Sequence, residues 1–435
     1  MTVNVIGGGL AGCEAAWQLA NRDIKVNLYE MKPKEFSPAH HLEYLAELVC
    51  SNSLRSNQIE NAVGLLKEEM RLLNSLIMEC ADATAVPAGG ALAVDRVGFS
   101  KMITEKITSH PNITLINEEI KSINGDEYTI VATGPLTSGD MYENIREFFC
   151  DGYLHFFDAA APIVTIDSID MNIAYRAARY GKGDADYINC PMTKEQYDEF
   201  YDALTHAECA ELHNHDKQTV FEGCMPVETM AKRGYQTLLF GPLKPVGLPD
   251  PKTGETPFAV VQLRQDNKEG TLYNIVGFQT HLKFPEQKRV FSMIPGLREA
   301  QFARFGVMHR NTFINSPKLL NKYYQTTKNQ KVFFAGQITG VEGYVESASS
   351  GLVAGINMAK MLKGENMVDF TNFTATGGLC HYISESSVGD FQPMNVTFGI
   401  IEPLGYRVKG KREKNAQIAQ RAIQKLNEIK SEYNI

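Results

Sequence analysis

The first thirty residues constrain the fold of this chain more than any other stretch. Val3-Asn4-Val5-Ile6 has the pattern of a short apolar strand, and Gly7-Gly8-Gly9-Leu10-Ala11-Gly12 follows without a gap. Residues 14–20 then place alanine and leucine at helical spacing, and residues 24–29 form a second apolar strand that stops at Glu30. Strand, glycine turn, helix and strand in this order make a β-α-β unit, the smallest piece of a parallel sheet. The spacing Gly7-x-Gly9-x-x-Gly12 adds chemistry to the topology. The first glycine permits a tight turn, the second lets the backbone approach a pyrophosphate, and the third lets helix and strand pack closely. The helix start supplies unpaired N–H groups and a positive dipole end to the phosphates, and Glu30 can accept the ribose hydroxyls.

Two distant segments select FAD over NAD as the occupant. Ala132-Thr133-Gly134 closes a strand spanning residues 127–132, as where the chain of two-dinucleotide flavoproteins passes back over its cofactor. Phe334-Ala335-Gly336-Gln337, then Gly343-Tyr344 and a helix over 346–361 beginning at Glu346, resemble the C-terminal flavin motif of those proteins. There a glycine turn and a helix N-terminus face the pyrophosphate and the flavin. Further periodicity predicts a single helix over 60–80, another over 99–109, and a strand over 113–116. The β-α-β rhythm is lost beyond about residue 155 and returns at 331–336. Residues 258–263 and 272–278 alternate like antiparallel strands. The expected fold is therefore α/β: a Rossmann-type FAD-binding parallel sheet from 1–154 and 311–435, an inserted α+β substrate or RNA-binding domain over 155–310, and a C-terminal helix. Ile418, Ala419, Ala422, Ile423, Leu426 and Ile429 form one face of that helix.

Composition narrows the function classes. A chain of 435 residues, 43% hydrophobic and 22% charged, has enough apolar material for two or three folded units. No window approaches 18 consecutive apolar residues, and the start lacks a charged n-region and cleavage site, so a cytoplasmic protein away from membranes is expected. The net charge of -8 excludes a globally basic nucleic-acid binder, and DNA is not expected as a partner. The eight cysteines include no C-x-x-C pair, which favours free thiols. His206-x-x-Cys209-x-x-x-His213-x-His215 has metal-ligand residue types, but the stretch reads as an acidic, solvated helix face. No metal is expected.

Several longer phrases carry a resemblance: the N-terminal GGGLAG, Glu47-Leu48-Val49-Cys50-Ser51-Asn52-Ser53, and Phe221-Glu222-Gly223-Cys224-Met225-Pro226. To these are added the phrases over 260–267, 306–312 and 336–346. Together they resemble the folate- and FAD-dependent tRNA (uracil-5-)-methyltransferases of bacteria, the TrmFO family, within the wider MnmG/GidA-like flavoprotein group. The likeness spans nearly the whole chain. It implies conversion of a T-loop uridine of tRNA (position 54) to 5-methyluridine, with carbon from 5,10-methylenetetrahydrofolate and electrons from NAD(P)H through FAD. A related branch acts on ribosomal RNA, so tRNA and rRNA both stand as substrates at this stage. An FAD/NAD(P)H oxidoreductase of another kind is the alternative, weakened by the lack of a C-x-x-C pair.

The implied reaction states which residue types it needs. C5 of uracil is a poor nucleophile until a thiolate adds at C6; a base must then remove the C5 proton, and hydride must reduce the transferred methylene. The family uses two cysteines, and Cys50 and Cys224 occupy the matching phrases. Ser51, Asn52, Ser53 and Arg55 offer donors and a cation near Cys50. The sequence does not separate nucleophile from base; the reading adopted places Cys224 at C6 and Cys50 near the flavin. The other six cysteines are assigned to packing. Lys283, Lys288, Arg289, Arg298, Arg304 and Arg310, and the denser set Arg407, Lys409, Lys411, Arg412 and Lys414, are candidate phosphate contacts. The segments 279–283 and 308–311 are candidates for the folate side. The oligomeric state is left open.

Overall fold

The structure is a computed structural model that describes residues 1–149, 154–159, 161–181, 184–210, 225–267, 270–306, 308–385 and 391–435. A five-stranded parallel sheet forms from Val332–Phe334, Thr129–Val131, Thr2–Ile6, Lys25–Glu30 and Ile113–Asn117, in that spatial order. Val3 pairs with Val26 and Val5 with Leu28, and all four are buried. Apolar residues on both sides of the central strands are what a parallel sheet sandwiched by helices requires. The parallel pairing also brings the carboxyl ends of four strands, at Ile6, Glu30, Val131 and Phe334, to one edge.

Glycines set how closely the layers approach. A Cβ on Gly12 would stand 1.8 Å from the carbonyl oxygen of Gly7, and one on Gly351 would stand 2.1 Å from that of Ala11. The helix Leu10–Ala20 can therefore lie directly on the sheet and on the helix Tyr344–Leu362. The helix expected over 60–80 is two helices, Ala62–Leu72 and Leu76–Ala83. Asn74 turns with a φ of 56°, and Ser75 caps the second helix by accepting from Met78 N–H. The buried carboxylate of Glu14 accepts from Ser75 Oγ at 2.7 Å and Ile77 N–H at 3.0 Å, and so fixes the break from another helix.

A second, six-stranded sheet has the order Tyr175–Arg176, Ile188–Met192, Ala259–Gln265, Leu272–Ile275, Ile163–Thr165, Phe302–Arg304, with every neighbouring pair antiparallel. Helices Lys194–His206 and Phe284–Phe291 cover it and bury Tyr197, Phe200, Leu204 and Phe291 in a core of its own. The helix ends at His206, so Cys209, expected from the sequence on a helix face, instead forms an isolated antiparallel bridge with Leu282. A two-stranded ribbon, Leu154–Ala159 with Met308–Phe313, joins the two sheets and contains residues 155 and 310. The terminal helix Lys411–Tyr433 buries Ile418, Ala419, Ala422, Leu426 and Ile429, with Ile423 partly covered. Among the described residues no helix is long and apolar enough to cross a membrane.

Candidate active site

At the carboxyl edge of the parallel sheet lies an open cleft of about 1150 Å³. The glycine turn forms its floor through Gly7, Gly8, Gly9, Leu10 and Ala11. Gly7 has a φ of 106°, and a Cβ there would meet the Ala132 carbonyl oxygen at 2.5 Å. The helix Leu10–Ala20 begins without a capping side chain and without an acid in its first turn, so its amides remain free for an anion. Glu30 does more than end a strand. Its Oε2 accepts from Gly8 N–H at 2.8 Å and its Oε1 from Lys32 N–H at 3.0 Å, which ties the turn to the second strand.

Thr133 and Gly134 close one wall, and Gly336 and Gln337 the other. Gly336 holds a φ of 87°, with its N–H donating to Ser350 Oγ at 2.6 Å. Three further candidates stand behind the lining. Gly12 serves the close packing described above. Gly343 (φ 108°) precedes the helix Tyr344–Leu362, and a Cβ there would meet Glu346 Oε2 at 2.5 Å. The side chain of Glu346 is fully buried, paired with Arg55 and accepting from Val396 N–H at 2.9 Å. The donors and the glycine cradle fit a bound dinucleotide: amides face the phosphates, a carboxylate stands at the ribose side, and side chains are missing where backbone must approach.

Cys50 lies beside this cleft. Its neighbour Val49 and the ring of Tyr344 both line the cleft, and the Tyr344 hydroxyl is 2.9 Å from Cys50 Sγ. The same oxygen accepts from Cys50 N–H at 2.8 Å and from Ser51 N–H at 3.3 Å. Two N–H donors occupy its acceptor sites, so its one proton is directed to the sulfur. Burial and the adjacent thiol push the Tyr344 hydroxyl well above its usual range, which keeps that proton in place. Arg304 reaches the Cys50 carbonyl at 3.4 Å, and Arg96 donates to the Leu48 carbonyl. A sulfur that accepts from a phenol near two guanidinium groups is placed to carry negative charge.

The phrase over 260–267, singled out in the sequence without a role, holds this loop. Arg264 donates to Ser51 Oγ at 2.7 Å and Asn52 Oδ1 at 3.3 Å, and Asn52 Nδ2 donates to the Gln265 carbonyl at 2.9 Å. Asp266 forms a buried pair with Arg96 at 2.8 Å. The second sheet thereby braces the cysteine loop of the first. No sequence pattern revealed Tyr344, Arg96 or Arg304 as partners of Cys50, because they are 294, 46 and 254 residues distant in the chain.

Cys224, His213 and His215 lie outside the described residues. Burial raises the Cys13, Cys80, Cys190 and Cys380 thiols, with Cys80 and Cys190 pushed up to about 12, as suits packing groups. Cys209 differs from these four: it is half-buried and stands with Glu228 and His281. Of the cations proposed for RNA, Arg304 turns inward to Cys50, while Lys283 pairs with Glu208 and Arg289 with Glu286. Arg407, Lys409, Lys411, Arg412 and Lys414 are exposed, with Arg412 in contact with Glu60.

Comparison with known proteins agrees with this geometry. Residues 2–366 match the family model described as glucose inhibited division protein A, GIDA. The fold is similar to that of Aquifex aeolicus GidA, with a TM-score of 0.69 at 16% identity over 98% of this chain and 73% of that one. The chain is 66% identical over 432 residues to a methylenetetrahydrofolate–tRNA-(uracil-5-)-methyltransferase TrmFO of Acetivibrio thermocellus, covering 99% of each protein. It is 59% identical over 428 residues to the protein of that name from Bacillus licheniformis, covering 98% of each. A glycine cradle for a dinucleotide, a braced cysteine at its rim and identity of this extent over both sheets lead to one assignment: the chain belongs to the TrmFO family of methylenetetrahydrofolate–tRNA-(uracil-5-)-methyltransferases.

Proposed function

We propose that this protein methylates uridine at C5 in the T-loop of tRNA, with carbon from 5,10-methylenetetrahydrofolate and reducing equivalents from NAD(P)H. The observation that carries the reading is the contact of Cys50 with Tyr344, whose ring lines the dinucleotide cleft. FAD bound in the cleft would supply the hydride and carry the one-carbon unit. The open amides at the start of the helix Leu10–Ala20 would hold its phosphates, Gly7, Gly8 and Gly9 would let it approach the backbone, and Glu30 would take the ribose hydroxyls while keeping the turn in place through Gly8 N–H.

The chain's own groups handle the base. In our reading a thiolate at Cys224 adds to C6 of the pyrimidine, and the electron pair of the 5,6 double bond moves to form an enolate. C5 then bonds to the one-carbon unit. Cys50, at the rim of the flavin cleft, removes the C5 proton, and the resulting electron pair releases the methylene from its carrier; the hydride that reduced flavin would supply then adds to this exocyclic methylene, and the displaced electron pair expels the sulfur from C6. Tyr344 holds Cys50 by two contacts and the adjoining Ser51 by a third, so the sulfur does not drift from the rim. We assign residues 155–310 as the substrate domain and the exposed cations of 407–414 as phosphate contacts for the RNA.

The test replaces each thiol separately and together. Cys50→Ala and Cys224→Ala should each abolish methyl transfer while the protein remains yellow with bound flavin. Full methylation by the double variant would remove the two-thiol mechanism. Methylation of ribosomal RNA alone, with unmodified tRNA left untouched, would transfer the chemistry to a different substrate.

A further inference from the structure

We propose that Cys209, Glu228 and His281 form a binding site for a divalent cation of the zinc class, apart from the flavin cleft. A sulfur, a carboxylate oxygen and an imidazole nitrogen from these residues all lie within 4.8 Å of one another, the one such group among the described residues. None of the three lines the flavin cleft.

Three chain segments are laced together at this point. Cys209 pairs with Leu282 as an isolated antiparallel bridge. Ala210 N–H donates to the His281 carbonyl at 2.8 Å, and Lys283 N–H donates to that of Glu208 at 3.0 Å. Glu228, in the first turn of the helix Val227–Lys232, follows a Val227 N–H bonded to the Gln279 carbonyl at 2.8 Å. The side chains therefore project from a braced frame, which lowers the entropy lost on binding.

The polar atoms are arranged as metal ligands are. Glu228 is 1% exposed, and its carboxylate is oriented from outside by His281 N–H at 3.0 Å and Thr280 Oγ1 at 2.8 Å. His281 Nδ1 stands 2.6 Å from Glu228 Oε1, yet this buried nitrogen makes no hydrogen bond of acceptable geometry. A nitrogen and a carboxylate oxygen held this close can share a metal cation in place of the proton that otherwise joins them. A thiolate, a carboxylate and a neutral imidazole carry two negative charges, which a divalent ion neutralises. Thiolate and imidazole together select zinc over magnesium or calcium. Bond lengths of about 2.0–2.3 Å would need shifts of roughly 1 Å or less from the observed cluster. Three protein ligands leave a fourth position for water, and binding releases to solvent both the Cys209 thiol proton and the ring proton that His281 carries beside Glu228.

The decisive experiment uses the FAD-loaded full chain, stripped with a chelator, incubated with zinc chloride and desalted. Elemental analysis should then find about one zinc per chain. Cys209→Ala should retain less than about a tenth of that amount, since a two-ligand site is much weaker. His281→Gln should do the same, and His206→Ala, an exposed imidazole on the preceding helix, should retain the full amount. Zinc retention by wild type no greater than by Cys209→Ala would overturn the proposal. Alkylation of Cys209, followed by peptide mass analysis, provides a readout that does not depend on the variants folding. Zinc should slow it at least about tenfold, and an unchanged rate would equally overturn the site.

Discussion

The Tyr344 hydroxyl is the atom on which the placement of Cys50 depends most, and Tyr344→Phe removes that atom alone. Phenylalanine keeps the ring that lines the cleft, so flavin affinity should hold within about twofold, a change of less than half a kcal/mol. What is lost is the acceptor for Cys50 N–H and Ser51 N–H and the donor to Cys50 Sγ. Leaving a partly buried N–H without a partner costs about 1–3 kcal/mol. Spent on misplacing the thiol, that is a fall in transfer rate of about 5- to 160-fold. The assay is single-turnover methyl transfer to unmodified tRNA, with flavin content measured on the same preparation. A pH profile adds a check: without its phenol donor Cys50 should lose thiolate character, and the rate should recover in part at higher pH. Wild-type turnover with full flavin would refute the reasoning, as would a loss of rate wholly explained by lost flavin.

Other perturbations follow from the packing. Gly351→Val places a Cβ about 2.1 Å from the Ala11 carbonyl oxygen, so the two helices must part and tilt the phosphate-binding amides. Stability should fall by about 1–3 kcal/mol or more, and flavin affinity at least about tenfold, read by thermal unfolding and flavin titration. Asp266→Asn leaves the buried Arg96 guanidinium without its counter-charge. It should cost about 3–5 kcal/mol in chemical denaturation. Lys67 is buried against the Leu54 and Arg55 carbonyls, and desolvation lowers its ammonium from 10.5 to about 7. Between pH 7 and 10.5 the unfolded chain binds the extra proton, so stability from this group rises with pH across that window and is flat below it. The buried Glu69, raised to about 7, acts only below that window. Melting temperatures of wild type and Lys67→Met should therefore converge or diverge only above pH 7; a constant difference up to pH 10 would contradict the buried charge.

What could be read from the sequence was whatever local rules write locally. The turn from Gly7 to Gly12 and the strand ends at Glu30, Thr133 and Gly336 follow from short-range periodicity and glycine sterics, and they meet at one edge because parallel pairing aligns strand ends. The expected single helix over 60–80 failed because a tertiary contact, Glu14 with Ser75 and Ile77, stabilises a break that helical spacing alone does not show. Asn74 and Ser75, a left-handed turn and a cap, were its only local signal. The Cys50 site was half legible. Its phrase pointed to the thiol, but Tyr344, Arg304 and Asp266 act across sheets, where spacing carries no information. The neighbours of Cys209 were hidden for a related reason. The histidines nearest in sequence drew attention, while its structural partners, Glu228 and His281, come from other segments.

The central claim is that a flavin held at the glycine turn passes carbon and hydride to a pyrimidine beside Cys50. Its most direct test incubates the purified yellow protein with unmodified tRNA, methylene-labelled carbon-13 tetrahydrofolate and NAD(P)H, followed by mass analysis of the nucleosides. The account predicts 5-methyluridine in the T-loop carrying the label, absent when Cys50 is alanine. Unlabelled or missing 5-methyluridine from flavin-loaded protein, or labelled product undiminished in Cys50→Ala, would contradict it.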